Sequence, residues 1–237
     1  SPEHVVMPDG VARHSGLMDV PPGSAVPPAE MAAHIHSVLE SAGSISSEMS
    51  LAGSGLYVTM EESFGEKRGV RLSGNRGGDV VDYLIADGQA FVRVDPSEAL
   101  LSQVPEWFRL GGGSDQERTF AEQIHQLQLL LALRLDPELI ERLDSLVFEG
   151  RVGDGNLWRY SGVVPYESLA SRLPEATLQA IDVARQPMPM FLFLNQDGVP
   201  SHVTYSVMGK TGSQSAAQFL AVLGDPVDLS PPLTEDQ

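Results

Sequence analysis

Apolar and polar positions alternate with a period of two through much of this chain, and that period predicts strands. Ile45, Met49 and Leu51 share one face, with Ser47 interrupting the apolar set. Leu56, Val58 and Met60 alternate with Tyr57, Thr59 and Glu61. Val70 and Leu72 mark a third strand and residues 80–85 a fourth; Asp87-Gly88 then turns into residues 90–94. Asp-Gly between two alternating runs is a hairpin signal, because both turn positions take positive φ. The stretch predicts an antiparallel meander with one wet face.

The period changes around this meander. Residues 28–42 predict a helix, opened by Pro28 and Glu30, with Met31, Ile35, Val38 and Leu39 on one face and Gly43 as its stop. Residues 115–135 place Phe120, Ile124, Leu127, Leu131 and Leu135 on a stripe that Leu129, Leu130 and Leu133 widen. Asp136-Pro137 opens a short helix to Leu143. A strand pair with Val147, Trp158 and Tyr160 on its arms surrounds residues 153–156, and residues 166–184 read as helical again. The chain then closes in two apolar strands around Asn195-Gln196-Asp197-Gly198 and a third strand ending in residues 224–228. Strand runs segregated from helices argue an α+β fold, with an antiparallel sheet packed against several helices.

Residues 1–28 show no apolar period, and Pro21, Pro22, Pro27 and Pro28 crowd their end. They are expected to form a flexible tether ahead of a single domain over residues 29–237. With 237 residues, 42% hydrophobic and 20% charged, the domain is large enough to bury a core. A formal charge of −17 argues against nucleic acid and against charge-driven adsorption to anionic lipid. The absence of cysteine excludes disulfides, thiolate metal sites and a cysteine nucleophile in this sequence. Apolar runs such as residues 129–133 are far too short to span a membrane.

No spacing in the chain encodes a reaction. His34 and His36 are two apart and would diverge on a helix, while His4 and His14 fall in the expected tether. His125 and His202 read, like the others, as surface or element-flank residues, so neither a metal nor another cofactor is expected. Gly209-Lys210-Thr211 has Thr204 where a phosphate loop needs glycine, and it follows a strand without opening a helix. Gly53-Ser54-Gly55 lacks the spacing of a nucleophile elbow, and residues 74–78 link two strands. The Glu61-Glu62 pair and the Asp79/Asp82 set read as solvated strand faces. What remains is apolar. The pattern favours an ordinary sheet-on-helix core, and its sharper alternative is a sheet curved around its helices with a pocket between them.

Several short motifs carry a family likeness. They are residues 44–59 as back-to-back strands, Ile85-Ala86-Asp87-Gly88-Gln89-Ala90-Phe91-Val92, Glu106-Trp107-Phe108-Arg109-Leu110, Asn195-Gln196-Asp197-Gly198-Val199-Pro200, and the ending over residues 223–232. Over residues 30–232 the chain resembles the actinobacterial cell-envelope lipoproteins of the LppX/LprA/LprF/LprG type, relatives of the LolA-like carriers. The resemblance implies a curved half-barrel with a hydrophobic cavity for acyl chains of lipids or lipoglycans. It also implies a lipidated cysteine just before Ser1 and residence at the outer face of the cytoplasmic membrane.

The expectation is therefore a non-enzymatic lipid-binding or lipid-transfer protein without catalytic residues. The expected cavity lining is Met49, Leu51, Leu56, Val58, Met60, Leu72, Tyr83, Ile85, Phe91, Phe120, Ile124, Leu127 and Leu131. The alternative is an envelope sensor or protein-interaction domain of the same fold with a filled core.

Overall fold

The computed structural model describes residues 15–76, 78–95, 106–154, 156–209, 212–222, 227 and 229–232. A first meander comprises β1 (Ser44–Leu51), β2 (Leu56–Ser63), β3 (Gly69–Arg76), β4 (Asp79–Ala86), β5 (Gln89–Asp95) and the short β6 (Phe108–Arg109). A second comprises β7 (Ser145–Val152), β8 (Leu157–Val164), β9 (Met188–Asn195), β10 (Pro200–Gly209) and β11 (Gly212–Val222). The helices are α1 (Ser15–Met18), α2 (Pro28–Ala42), α3 (Asp115–Thr119), α4 (Ala121–Leu133), α5 (Pro137–Glu141), α6 (Tyr166–Ala170) and α7 (Glu175–Ala180).

The two meanders fuse where β1 pairs antiparallel with β11, from Ile45 opposite Val222 to Leu51 opposite Ala216. The result is one curved eleven-stranded antiparallel sheet in the order β6-β5-β4-β3-β2-β1-β11-β10-β9-β8-β7. Its ends, β6 and β7, do not meet, so the sheet remains an open α+β half-barrel. Helices cover one face. No described helix is long and apolar enough to cross a membrane.

Local chemistry accounts for the helix boundaries. Pro28 sits in the first turn of α2, Glu30 complements its dipole, and Gly43 ends it at φ 76. The stripe expected over residues 115–135 is two helices: Ser114 caps α3, which buries nothing, and Phe120 leaves helical geometry at φ −105 and ψ 20. Burial begins in α4 with Ile124, Leu127, Leu129, Leu130 and Leu133. The helix expected over residues 166–184 breaks because Pro174 has no N–H and disfavours helical geometry before it. Beyond α7, Ala184 N–H donates to the Met208 carbonyl at 2.6 Å, so residues 181–187 follow β10 as irregular chain. The third closing strand is β11, which ends at Val222; residues 224–226 and 228 lie outside the described residues.

The expected tether requires correction over residues 15–28. Leu17 is fully buried, Met18 and Val26 nearly so. The Tyr160 hydroxyl donates to the Leu17 carbonyl, and Trp158 Nε1 donates to the Met18 carbonyl at 3.1 Å. Residues 23–26 then run along the outer edge of β7. Gly23 and Val26 N–H donate to Phe148 and Leu146 carbonyls at 2.7 and 2.8 Å, and Phe148 N–H donates to Ser24 at 2.9 Å. An open sheet edge is a template for unwanted pairing, and this segment covers one. Residues 1–14 lie outside the described residues.

The face of the sheet away from the helices carries a second, smaller cluster of Leu84, Ala86 and Phe91, against which Trp107 and Leu229 pack. Beside it Asp82 accepts from Ser73 Oγ at 2.8 Å and Arg93 Nη2 at 2.7 Å, with Arg71 at 3.3 Å. Trp107 lies over both guanidiniums, 4.9 Å from Arg93 and 5.9 Å from Arg71. Asp82 and Asp79 were expected on a solvated face; Asp82 is instead 5% exposed.

Burial pushes the Asp82 carboxyl up, but hydrogen bonds from Arg93 and Ser73 and the two guanidinium charges outweigh it and hold the group below its ordinary value. A depressed carboxyl contributes stability that is complete above its unfolded value, about 3.9, and lost as pH falls through the folded value. Asp82→Asn should therefore destabilise the fold at neutral pH by more than it does near pH ~3. Urea melts of both proteins at the two pH values check this; a constant difference would contradict it.

Candidate functional site

Most of the residues expected to line a pocket sit in the main core, although Leu51 also borders one surface opening and Tyr83, Ile85 and Leu131 another. Val58 and Leu72 are 0% exposed, Met60 and Leu127 1%, and Met49 2%. Gly74 on β3 contributes to this fit, since a methyl group there would sit 3.2 Å from Leu127 Cδ2 and 3.4 Å from Val58 Cγ2. Leu51, Leu56, Tyr83 and Ile124 are buried in the same cluster, while Ile85, Phe120 and Leu131 pack against it partly exposed. Phe91 is misplaced by the expectation. It faces the other side of the sheet, because its neighbour Val92 takes the inward position in the β5 alternation.

A cleft of about 840 Å³ lies at one end of the half-barrel. The β1–β2 turn at Ala52, Gly53 and Ser54 forms one side, and Gly209 of β10 with Gly212, Ser213, Gln214 and Ser215 of β11 forms another. Glu122, His125, Gln126 and Leu129 of α4 and Ala180 to Val183 complete it. Leu51, Leu129, Ile181, Val183 and Val207 supply its apolar part, and of the expected lining only Leu51 borders it. Its size falls within the range of small-molecule sites, roughly 300–1,000 Å³. Sequence reasoning missed it because its walls come from two turns, one helix face and irregular chain, none of which has a period.

A polar chain runs from this cleft beneath α7. His125 Nδ1 lies 2.8 Å from Thr177 Oγ1, the Thr177 hydroxyl donates to Gln128 Oε1, and Gln128 Nε2 donates to Tyr83 Oη at 3.3 Å. Thr177 itself is fully buried. Tyr83 and Gln128 border a second, shallower opening of about 450 Å³ with Ile85, Leu131, Arg172 and Pro174. Residues of α4 border both openings, and Thr177 bonds His125 and Gln128 of that helix. His125 is thus more than the helix-flank residue expected. His34 is corrected likewise: it is 5% exposed, and its Nε2 bonds the Gly198 carbonyl at 2.7 Å.

Charged groups gather beside the second opening. Arg134 reaches Glu62 at 3.2 Å and Asp136 at 3.8 Å, and Arg172 reaches Asp136 at 2.9 Å. Burial pushes the Glu62 carboxyl up, against the opposing pull of Arg134. Glu62 therefore does not belong to a solvated face. These groups join the ends of α4 and α6 to the sheet. Among the described residues no group of three His, Asp or Glu side chains is placed to hold a metal ion.

No family model matches the chain, and no curated protein does. Among solved structures, the hypothetical protein CT021 from Chlamydia trachomatis aligns over 80% of this chain and 92% of its own at 10% identity, with a TM-score of 0.37. A GphF dehydratase variant aligns over 76% of this chain and 75% of its own at 9% identity and a TM-score of 0.22. The dehydratase domain of the CurK module of curacin polyketide synthase aligns over 76% and 73% at 9% identity and 0.20. Likenesses at these scores carry nothing about activity.

Proposed function

We propose that this protein is a non-enzymatic binder of a lipid-like amphiphile, a carrier of the LolA-like kind, with the cleft at the end of the half-barrel as its binding site. The cleft of about 840 Å³ is the observation that carries the reading. Its apolar floor of Leu51, Leu129, Ile181, Val183 and Val207 suits part of an acyl chain, and its polar rim suits a head group. Each buried methylene gains ~0.8 kcal/mol relative to water, nearly what a bilayer offers, so uptake and release are close to balanced. An envelope location and a lipid anchor at the N-terminus belong to the same proposal.

Ala52 and Ala180 are exposed residues on the cleft walls, so bulk can be added there without entering the core. Ala180→Trp and Ala52→Trp should each weaken lipid binding at least ~10-fold, about 1.4 kcal/mol, while stability changes stay within ~0.5 kcal/mol. Native mass spectrometry after incubation with a total lipid extract reads the first effect and thermal unfolding the second. Binding unaffected by both substitutions would remove the cleft from the function.

The second reading, a sensor or interaction domain with a filled core, is favoured by the packing of most of the expected pocket lining into the core. On the face away from the helices, Tyr57 is 48%, Phe191 39% and Phe219 52% exposed, and His202 stacks on Phe193 at 3.9 Å. This reading predicts that no lipid binds at all.

A further inference from the structure

The face of the sheet away from the helices carries a row of side chains whose chemistry is ordered about its middle. Arg159 of β8 stands opposite Phe193 of β9, which stands opposite His202 of β10. His202 stands opposite Phe219 of β11, and Phe219 opposite Glu48 of β1. The central rings form one stack, with His202 3.9 Å from Phe193 and 5.2 Å from Phe219. Burial holds the His202 ring below its ordinary value, so it is neutral at pH 7. The row therefore runs cation, aromatic, neutral imidazole, aromatic, anion. In the neighbouring row, Phe191 stands opposite Thr204 and Thr204 opposite Ala217.

A single chain leaves this face incomplete. Phe219 is 52% exposed, Tyr57 48% and Phe191 39%, although large aromatic side chains gathered on one face ordinarily mark an interaction surface. Arg159 lies over the Phe191 ring at 5.5 Å, with its Nε buried and without a hydrogen-bond partner. It makes no ion pair among the described residues, in a chain with 32 acidic side chains against 15 lysines and arginines. A second copy supplies what is missing. A two-fold axis lying between two such faces and running along β10 reverses the order of the strands across the row. It sets Arg159 against the partner's Glu48, Phe193 against Phe219, and the two neutral His202 rings against each other. It also sets the large Phe191 against the small Ala217, and it keeps the strands of the two sheets aligned, as packed sheets prefer. An axis at right angles to the strands would instead set Arg159 on Arg159 and Glu48 on Glu48. Charge selects the first arrangement.

We infer that this face is a homodimer interface, in which two copies pack the outer sides of β9, β10 and β11 together and Arg159 of each pairs with the partner's Glu48. The six adjacent strands from β8 through β11 to β2, at about 4.8 Å spacing, offer roughly 600 Å² per copy. Two copies would bury roughly 1,200 Å², the low end for specific interfaces, which fits a reversible dimer. The inference concerns the other side of the sheet and does not depend on what the cleft binds.

Sedimentation equilibrium of the full chain tests it, in about 0.15 M salt so that the formal charge of −17 on each copy is screened. A monomer–dimer equilibrium is expected, with a Kd on the order of 10–100 µM. Symmetry uses each charge pair twice, so Arg159→Glu and Glu48→Arg should each weaken the dimer at least ~10-fold. Combined in one chain, the two reversals should restore it to within ~3-fold, which a folding defect in either variant could not do. Phe219→Ser should weaken the dimer while leaving the unfolding temperature of the monomer unchanged. A monomer at every concentration, a dimer indifferent to Arg159→Glu, or a double variant as weak as the single ones would each overturn the interface. A monomer that instead sediments with phosphatidylcholine vesicles would overturn it too, and assign the face to a lipid surface.

Discussion

Leu17→Ala is expected to lower the free energy of unfolding by about 2–5 kcal/mol, the range for deleting a fully buried leucine side chain. Leu17 is 0% exposed although it lies in a four-residue helix near the start of the described chain. Its carbonyl accepts the Tyr160 hydroxyl, and the next carbonyl accepts Trp158 Nε1. Tyr160 also packs its ring 5.2 Å from that of Phe148. A cavity at Leu17 would therefore open beside the aromatic side chains of β7 and β8, which have little freedom to collapse into it. Urea unfolding followed by tryptophan fluorescence measures the change. A loss under ~0.5 kcal/mol, the usual scale for a surface substitution, would mean that the segment behaves as a tether after all.

Gln218→Ala should cost about 2–4 kcal/mol, combining lost packing with a buried donor left without a partner. Gln218 projects from β11 into the helix-covered face and is 1% exposed. Its Oε1 accepts the Leu135 N–H at 2.6 Å, just past the end of α4, and its Nε2 donates to Ser47 Oγ at 3.0 Å. One side chain thus satisfies a backbone group released where the helix ends and the hydroxyl that breaks the apolar face of β1. Ser47→Ala alone should cost less, since Gln218 would still cap Leu135. Denaturant unfolding of the two variants gives the order, and equal losses would show that the serine is the principal partner.

That pair illustrates what could be read from the sequence and what could not. Ser47 is visible as an irregularity in the β1 pattern, but its partner is 171 positions away. Strand existence was legible because a half-buried strand must alternate, as Leu56, Val58 and Met60 do against Tyr57, Thr59 and Glu61. Phe91 shows the limit: next to Val92 in a strand covered on both faces, hydrophobicity no longer tells inside from outside. Pro174 was a readable break within an otherwise helical stretch, and it accounts for the separation of α6 from α7. The site was less legible still. His125 and Thr177 stand 52 positions apart, and a bond between them has no local signature.

The sequence by itself determined the antiparallel meanders, the position of α2, the absence of thiol chemistry and the α+β class. Each of these depends on side-chain periodicity, turn residues or composition, which are local properties. Tertiary structure decided that β1 and β11 fuse two meanders into one open sheet, that residues 23–26 cover its β7 edge, and that most of the expected pocket lining packs into the core. It also decided where the opening lies. Those outcomes depend on volumes filled jointly by distant segments, and volume in a packed interior belongs to the whole chain rather than to any stretch of it.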